Sequence, residues 1–159
     1  MRAEELKPDP LVEALENWQM MSYDEQDIDI ILSDPRTAPF RRAPKSTVYF
    51  VYRCLVPGTS IGFEAPSRKF VTYSTTLDGA IVFYESLQTA DRFVVVRKLF
   101  RPSECIMDFT ALYEHIVKPD RFSYYISEDE VWMRNNAFYG RYKESEIVYR
   151  SENPDSDSQ

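Results

Sequence analysis

Histidine occurs once in the chain, at His115, and cysteine twice, at Cys54 and Cys105. A lone imidazole cannot supply a multi-histidine metal centre, and any histidine-based triad would have to use His115 itself. The two cysteines match no metal spacing and are too few for a disulfide framework, so free thiols in a reducing compartment are the expectation. The chain has only four glycines, and none of the Gly-rich phosphate loops is present. No apolar run approaches the roughly 20 residues needed to span a bilayer. Met1-Arg2-Ala3-Glu4-Glu5 does not open a signal peptide, so a soluble, cytoplasmic protein is expected. There is no internal repeat.

What the chain does hold is aromatic and hydrophobic. Aromatic residues make up 14% and hydrophobic residues 43% of its 159 positions, with 11 Tyr and 10 Phe. That balance suits one sheet-containing globular domain and argues against global disorder. The net charge of −7 is unevenly spread: residues 1–34 carry ten acids against Arg2 and Lys7, and residues 151–159 carry three acids and no base. With −8 in the first segment and −3 in the last, residues 35–150 are left at +4. A mildly basic body between acidic flanks suits an anionic ligand, although the overall acidity counts against nucleic acid as a partner.

The order of elements follows from local signals. Asp9-Pro10 caps a helix carrying Leu11, Leu15 and Trp18 at helical spacing to about Met21. Ser22 to Glu25 offers a capping box for a second helix, with Ile28, Ile31 and Leu32, that ends before Asp34-Pro35. Residues 35–46 mix three prolines with Arg36, Arg41, Arg42 and Lys45. They read as a solvated linker whose bases could also touch phosphate. Strands are expected over 47–55, 68–74, 92–100, 127–133 and 145–150. A helix from Leu77 to Leu87 should be capped by Thr75 or Thr76, and a short one from Phe109 by Asp108. His115 falls on that short helix, in a surface or half-buried role. Residues 151–159 read as a disordered acidic tail.

Three stretches carry chemistry. Arg53 stands inside the apolar strand Thr47–Leu55, where an unpaired guanidinium would cost several kcal/mol, so it must meet an anion or a carbonyl. Thr72 and Ser74 face the same way on the next strand, ahead of a helix. If 127–133 is a strand, Glu128 and Glu130 share one face and repel unless a cation or a hydroxyl answers them.

Taken in order, Tyr52-Arg53, then Phe70 through Thr72-Tyr73-Ser74 to Ala80, then Glu128-Asp129-Glu130-Val131, resemble the motifs of the ADP-ribosyltransferase superfamily of the arginine–serine–glutamate type. Cholera-like and pertussis-like toxins belong to it, with compact phage and effector relatives. The likeness covers roughly residues 46–150. Thr72 and Tyr73 replace the first two members of the Ser-Thr-Ser signature, and a register through Ser74-Thr75-Thr76 is the alternative. The 19-residue gap from Arg53 to Thr72 is closer to that of the compact RES-domain toxins, whose alanine-to-glutamate helix could correspond to Ala80–Glu85. Their glycine-rich, tryptophan-bearing loop has no counterpart here.

The resemblance implies an α+β fold, a split β-sandwich of two small sheets around an NAD cleft. Residues 1–45 would form an acidic helical segment and linker, residues 46–150 the catalytic domain, and 151–159 the tail. It implies an NAD-dependent mono-ADP-ribosyltransferase acting on a protein acceptor, with no metal, working in the cytoplasm or delivered into another cell as an effector. Arg53 would pair with the pyrophosphate or neighbouring ribose of NAD. Thr72 and Ser74 would orient the glutamate and hold the nicotinamide ribose, and Tyr73 could stack on the nicotinamide ring. Glu130 would stabilise the oxocarbenium-like cation, while Glu128 would deprotonate or orient the acceptor, a glutamate there going with arginine acceptors. An NAD glycohydrolase is the nearest alternative. A non-catalytic α+β interaction domain that uses its acidic helices as a binding surface is the alternative from another class.

Overall fold

The computed structural model describes residues 9–57, 68–86, 92–117, 129–136 and 141–151. These form an α+β fold with one antiparallel sheet. Its strands are β1 (Phe50–Leu55), β2 (Phe70–Ser74), β3 (Val94–Leu99), β4 (Cys105–Met107), β5 (Glu130–Arg134) and β6 (Ile147–Arg150). They lie in the order β4-β5-β2-β1-β3-β6. The expected pair of small sheets is therefore corrected to a single sheet among the described residues. It has a seam at its middle, because β1 and β2 share one registered pair, Tyr52 opposite Ser74, whereas β1 pairs with β3 over six positions and β2 with β5 over five.

Among the described residues four α-helices accompany the sheet: α1 (Pro10–Gln19), α2 (Glu25–Ser33), α3 (Leu77–Ser86) and α4 (Phe109–Ile116). Asp9 caps α1 by accepting from Leu11 N at 3.0 Å, and Leu11, Ala14, Leu15 and Trp18 give the helix one buried stripe. The box that starts α2 is not the expected Ser22–Glu25 pair. Asp24 accepts from Asp27 N at 2.9 Å, and Asp27 accepts from Asp24 N at 3.1 Å. A carboxylate at each position satisfies both otherwise orphaned donors. At α3 the choice between two threonines falls on Thr76, whose Oγ1 accepts from Gly79 N at 3.0 Å.

The helices divide between the halves of the sheet. Helices α1, α2 and α4 close the largest core over Phe70 of β2, Met107 of β4 and Trp132 of β5, so the N-terminal helices share a core with the strands. Helix α3 covers β1 and β3 through Ala80, Cys54, Val95 and Phe93. The other side of β2 and β5 presents Val71, Tyr73, Val131 and Met133, which pack with Val51 and Phe100.

Strand β4 was not foreseen, since three residues between Pro102 and Asp108 carry too little pattern to read. The linker after α2 is also more ordered than a solvated connection. Pro35–Phe40 form a 3-10 helix with Thr37 buried. Arg36 bridges Asp9 and Asp34, and this holds the Asp9 carboxyl down at about 2. Ser151, assigned to the disordered tail, is tied in at both ends: its N donates to Phe93 O at 2.9 Å, and Phe93 N donates to its hydroxyl at 2.8 Å. The rest of the tail, residues 152–159, lies outside the described residues. None of the described helices is long and apolar enough to cross a membrane.

Candidate active site

The register of three strands assembles the candidate residues. Tyr52 of β1 lies opposite Ser74 of β2, and Ser74 lies opposite Glu130 of β5. Facing residues in an antiparallel pair share a face. Positions 22 and 56 residues apart in sequence thus become one cross-strand row at the end of the sheet. Just beyond it, Thr75 N donates to Asp129 O at 3.0 Å, and Thr76 Oγ1 donates to Asp129 Oδ2 at 2.7 Å. One threonine therefore caps α3 and clasps the residue before Glu130.

Asp129 has a φ of 51°, the left-handed region that Asp enters more readily than most residues. Extended structure ends there, so the alternation used to put Glu128 beside Glu130 does not run through this position. Glu128 itself lies outside the described residues.

Glu130 is half-buried as a residue, but its carboxylate is enclosed by aromatic rings. Trp18 Nε1 donates to Oε2 at 2.6 Å, and Trp132 Nε1 donates to the same oxygen at 2.6 Å. Both tryptophans of the chain are thus committed to one carboxylate oxygen. Among the described residues nothing donates to Oε1. The indoles are themselves held in a stack: Trp132 lies on Phe70 at 4.1 Å between ring centroids and 5° between planes, and Trp18 meets Trp132 at 4.7 Å. Arg68 closes the outer side, 5.4 Å from the Trp18 ring, with its Nη2 donating to Tyr23 at 3.0 Å.

Such a cradle excludes water, and desolvation opposes the ionised form. Burial pushes the Glu130 carboxyl up to about 7, against the two indole N–H groups and the Arg53 charge, which pull it down. A carboxyl group poised near neutrality can hold or release a proton at physiological pH.

Arg53 has found the carbonyl its burial demands. Its guanidinium donates to Thr72 O and, at 2.9 Å, to Thr72 Oγ1, bridging the seam between β1 and β2. It also lies 5.9 Å from the centroid of the Tyr73 ring. Tyr73 is buried among Val51, Val71 and Met133 on the other side of β2, so its ring cannot stack on a ligand beside Glu130. Ser74 faces Glu130 in register, yet among the described residues its hydroxyl makes no hydrogen bond to that carboxylate. The row itself holds Tyr52, Ser74 and Glu130; Thr72 pairs with Trp132 farther along β2, Arg53 reaches Thr72 across the seam, and Tyr73 is left out.

Glu130 is also one of the residues lining a cleft of about 400 Å³. Residues 40–46 supply one wall, including Arg42 and Lys45; the start of α4 supplies another, with Asp108 and Thr110; Thr75 and Asp129 join Glu130 from the sheet. Thr110 Oγ1 donates to Glu130 O at 3.2 Å, which anchors α4 to the strand. Among the described residues no group of histidines, cysteines or carboxylates has the geometry of a metal site. Cys54, beside Arg53, is a free thiol that burial pushes up to about 12 despite that cation, which leaves it a poor nucleophile.

Sequence reasoning missed Trp18, Trp132 and the cleft wall. Trp132 was within reach, because it stands two residues after Glu130 on the same strand face. Trp18, 112 residues away, gave no local sign beyond an apolar position on α1. The chain matches no protein-family model, no curated protein and no solved structure.

Proposed function

We propose that the protein is an NAD-dependent mono-ADP-ribosyltransferase with Glu130 at its centre. The observation that carries the reading is the cross-strand row, in which motif positions remote in sequence meet beside a cleft that a dinucleotide could enter. In the reaction the bond from ribose C1′ to the nicotinamide nitrogen breaks, and its electron pair leaves with neutral nicotinamide. Positive charge develops on the ribose. Ionised Glu130 accepts a hydrogen bond from the ribose 2′-hydroxyl and stabilises that cation, a fixed anion in an enclosed site being worth far more than one in water. The acceptor nucleophile then bonds to C1′ and loses a proton, the task this reading gives to Glu128. Arg53 acts as a positioning residue, holding Thr72 across the seam and adding positive potential near Glu130.

The indole donors suit this role because they fix one carboxylate oxygen without neutralising it. One observation favours a non-catalytic scaffold instead: Trp18 of the acidic N-terminal segment already occupies Oε2. The two readings part at one assay. Purified protein supplied with NAD and cell lysate should release nicotinamide, and Glu130→Gln should lower that release at least about 10²–10³-fold while far-UV circular dichroism stays unchanged. Against pH, kcat/KM should rise through about pH 7 as Glu130 ionises in the free enzyme. Full release by the Gln variant removes the catalytic assignment. A folded parent protein that releases none favours the scaffold.

A further inference from the structure

Of the four bases in residues 35–46, two are consumed by the fold. Arg36 bridges Asp9 and Asp34, and Arg41 donates to Thr37 Oγ1 at 2.7 Å and to Asp34 O at 2.8 Å. The other two, Arg42 and Lys45, are exposed, line the cleft that holds Glu130, and form no ion pair or side-chain hydrogen bond among the described residues. The backbone leading up to Lys45 is nevertheless held at Phe40, whose O accepts from Asp108 N at 2.8 Å, and at Arg42, whose O accepts from Cys105 Sγ at 3.4 Å. Two cations on a pinned segment present a charged wall at little ordering cost.

We infer that Arg42 and Lys45 form a subsite for the pyrophosphate of a dinucleotide ligand. The inference rests on the ADP-ribosyltransferase reading for the identity of that ligand and deepens it. The bases of the cleft, Arg42 and Lys45, come from residues 40–46, and its acids come from α4 and its cap (Glu114, Asp108) as well as from the sheet (Asp129, Glu130), Asp108 lying near enough to feel the Arg42 charge. NAD likewise carries both signs, an anionic pyrophosphate and a cationic nicotinamide ring. Arg53, the sequence-based choice for the pyrophosphate, is engaged with Thr72 and does not line this cleft. The planar fork of Arg42 can take two phosphate oxygens at once, while Lys45 serves as a point charge. Ser46, next to Lys45 in the chain and also on the lining, offers a hydroxyl donor.

Calorimetry on the full chain with ADP-ribose and with inorganic pyrophosphate tests the subsite without calling on catalysis. Arg42→Ala/Lys45→Ala should weaken both probes about 10- to 100-fold. Lys69→Ala/Arg97→Ala, which loses the same charge away from the cleft, should leave them within about twofold, and raising the salt should weaken the parent more than the cleft variant. Equal binding by parent and cleft variant overturns the subsite, and nicotinamide release by the same parent would show that the enzyme reading survives it. No binding of either probe to the parent also overturns it. Binding that depends on Arg42 and Lys45 in a parent that releases no nicotinamide supports the anion subsite and removes the transferase.

Discussion

Replacing Trp18 by alanine is expected to cost the fold about 3–5 kcal/mol, the range for deleting a buried large aromatic ring. A domain of this kind has only about 5–15 kcal/mol in hand, so the variant should unfold at markedly lower urea than the parent. The size follows from what the ring touches. Trp18 is 9% exposed and sits among Leu15, Ile28, Phe70, Phe109 and Trp132, so its removal opens a void where two N-terminal helices, β2, β5 and α4 meet. Trp18→Phe separates packing from hydrogen bonding, since it keeps most of the ring contact and removes one indole donor from Glu130 Oε2. That donor favours the ionised carboxylate, and a hydrogen bond to a charged group contributes about 1.5–3 kcal/mol. The Phe variant should therefore lose more stability at pH 8, where Glu130 is ionised, than at pH 5, where it is protonated. Urea melts at both pH values read the difference. An equal loss at each would reduce Trp18 to a packing residue.

The same tryptophan shows where sequence reasoning stops. Helix α1 was legible because its cap, its first-turn proline and its apolar spacing are local, as were the Asp108 cap and the strand through Phe93–Val96. So was Arg53, since a cation inside an apolar strand must have a partner, and the structure supplies Thr72 from 19 residues away. Which strands become neighbours is set by tertiary pairing. The order β4-β5-β2-β1-β3-β6 puts Glu130 opposite Ser74, a neighbourhood that the resemblance implied but that no local pattern in either stretch announces. The resemblance put Tyr73 near a ligand, although alternation from Thr72 sends its ring to the opposite core. The strand period, for its part, was carried through Asp129, where φ is left-handed. The linker was read as solvated because prolines and bases look alike whether they face water or line a cleft. Only placement divides Arg36 and Arg41, spent on Asp9, Asp34 and Thr37, from Arg42 and Lys45.

Glu130→Gln should make the protein more stable at neutral and alkaline pH, by an amount that vanishes in acid. The Glu130 carboxyl titrates at about 7 in the fold against an ordinary value of 4.5. Below pH 4.5 it is protonated whether the chain is folded or not, and ionisation costs the fold nothing. Between 4.5 and 7 the unfolded chain releases the proton while the folded chain retains it, so stability falls as pH rises, by about 1.4 kcal/mol per unit for this one group. Above 7 both states are ionised and the accumulated loss stays at about 3 kcal/mol. Gln retains an oxygen for the two indole donors and has no proton to lose, so its stability lacks this slope. Asp9 works in the opposite sense. Its carboxyl is held at about 2 by Arg36, and the stability it lends is lost as pH falls below its ordinary range, equally in both proteins. Subtracting the variant's pH profile from the parent's therefore isolates Glu130. The difference should open between pH 4.5 and 7 and stay flat above, whereas a constant offset would mean that the carboxylate meets water despite its aromatic cradle. This result bears on function through the same energy. A site that keeps a costly anion among apolar rings spends stability to do so, and the cost is relieved when positive charge arrives beside it. The developing cation of a ribose losing nicotinamide would bring that charge, so the anion that destabilises the resting fold is the same anion that would serve the reaction.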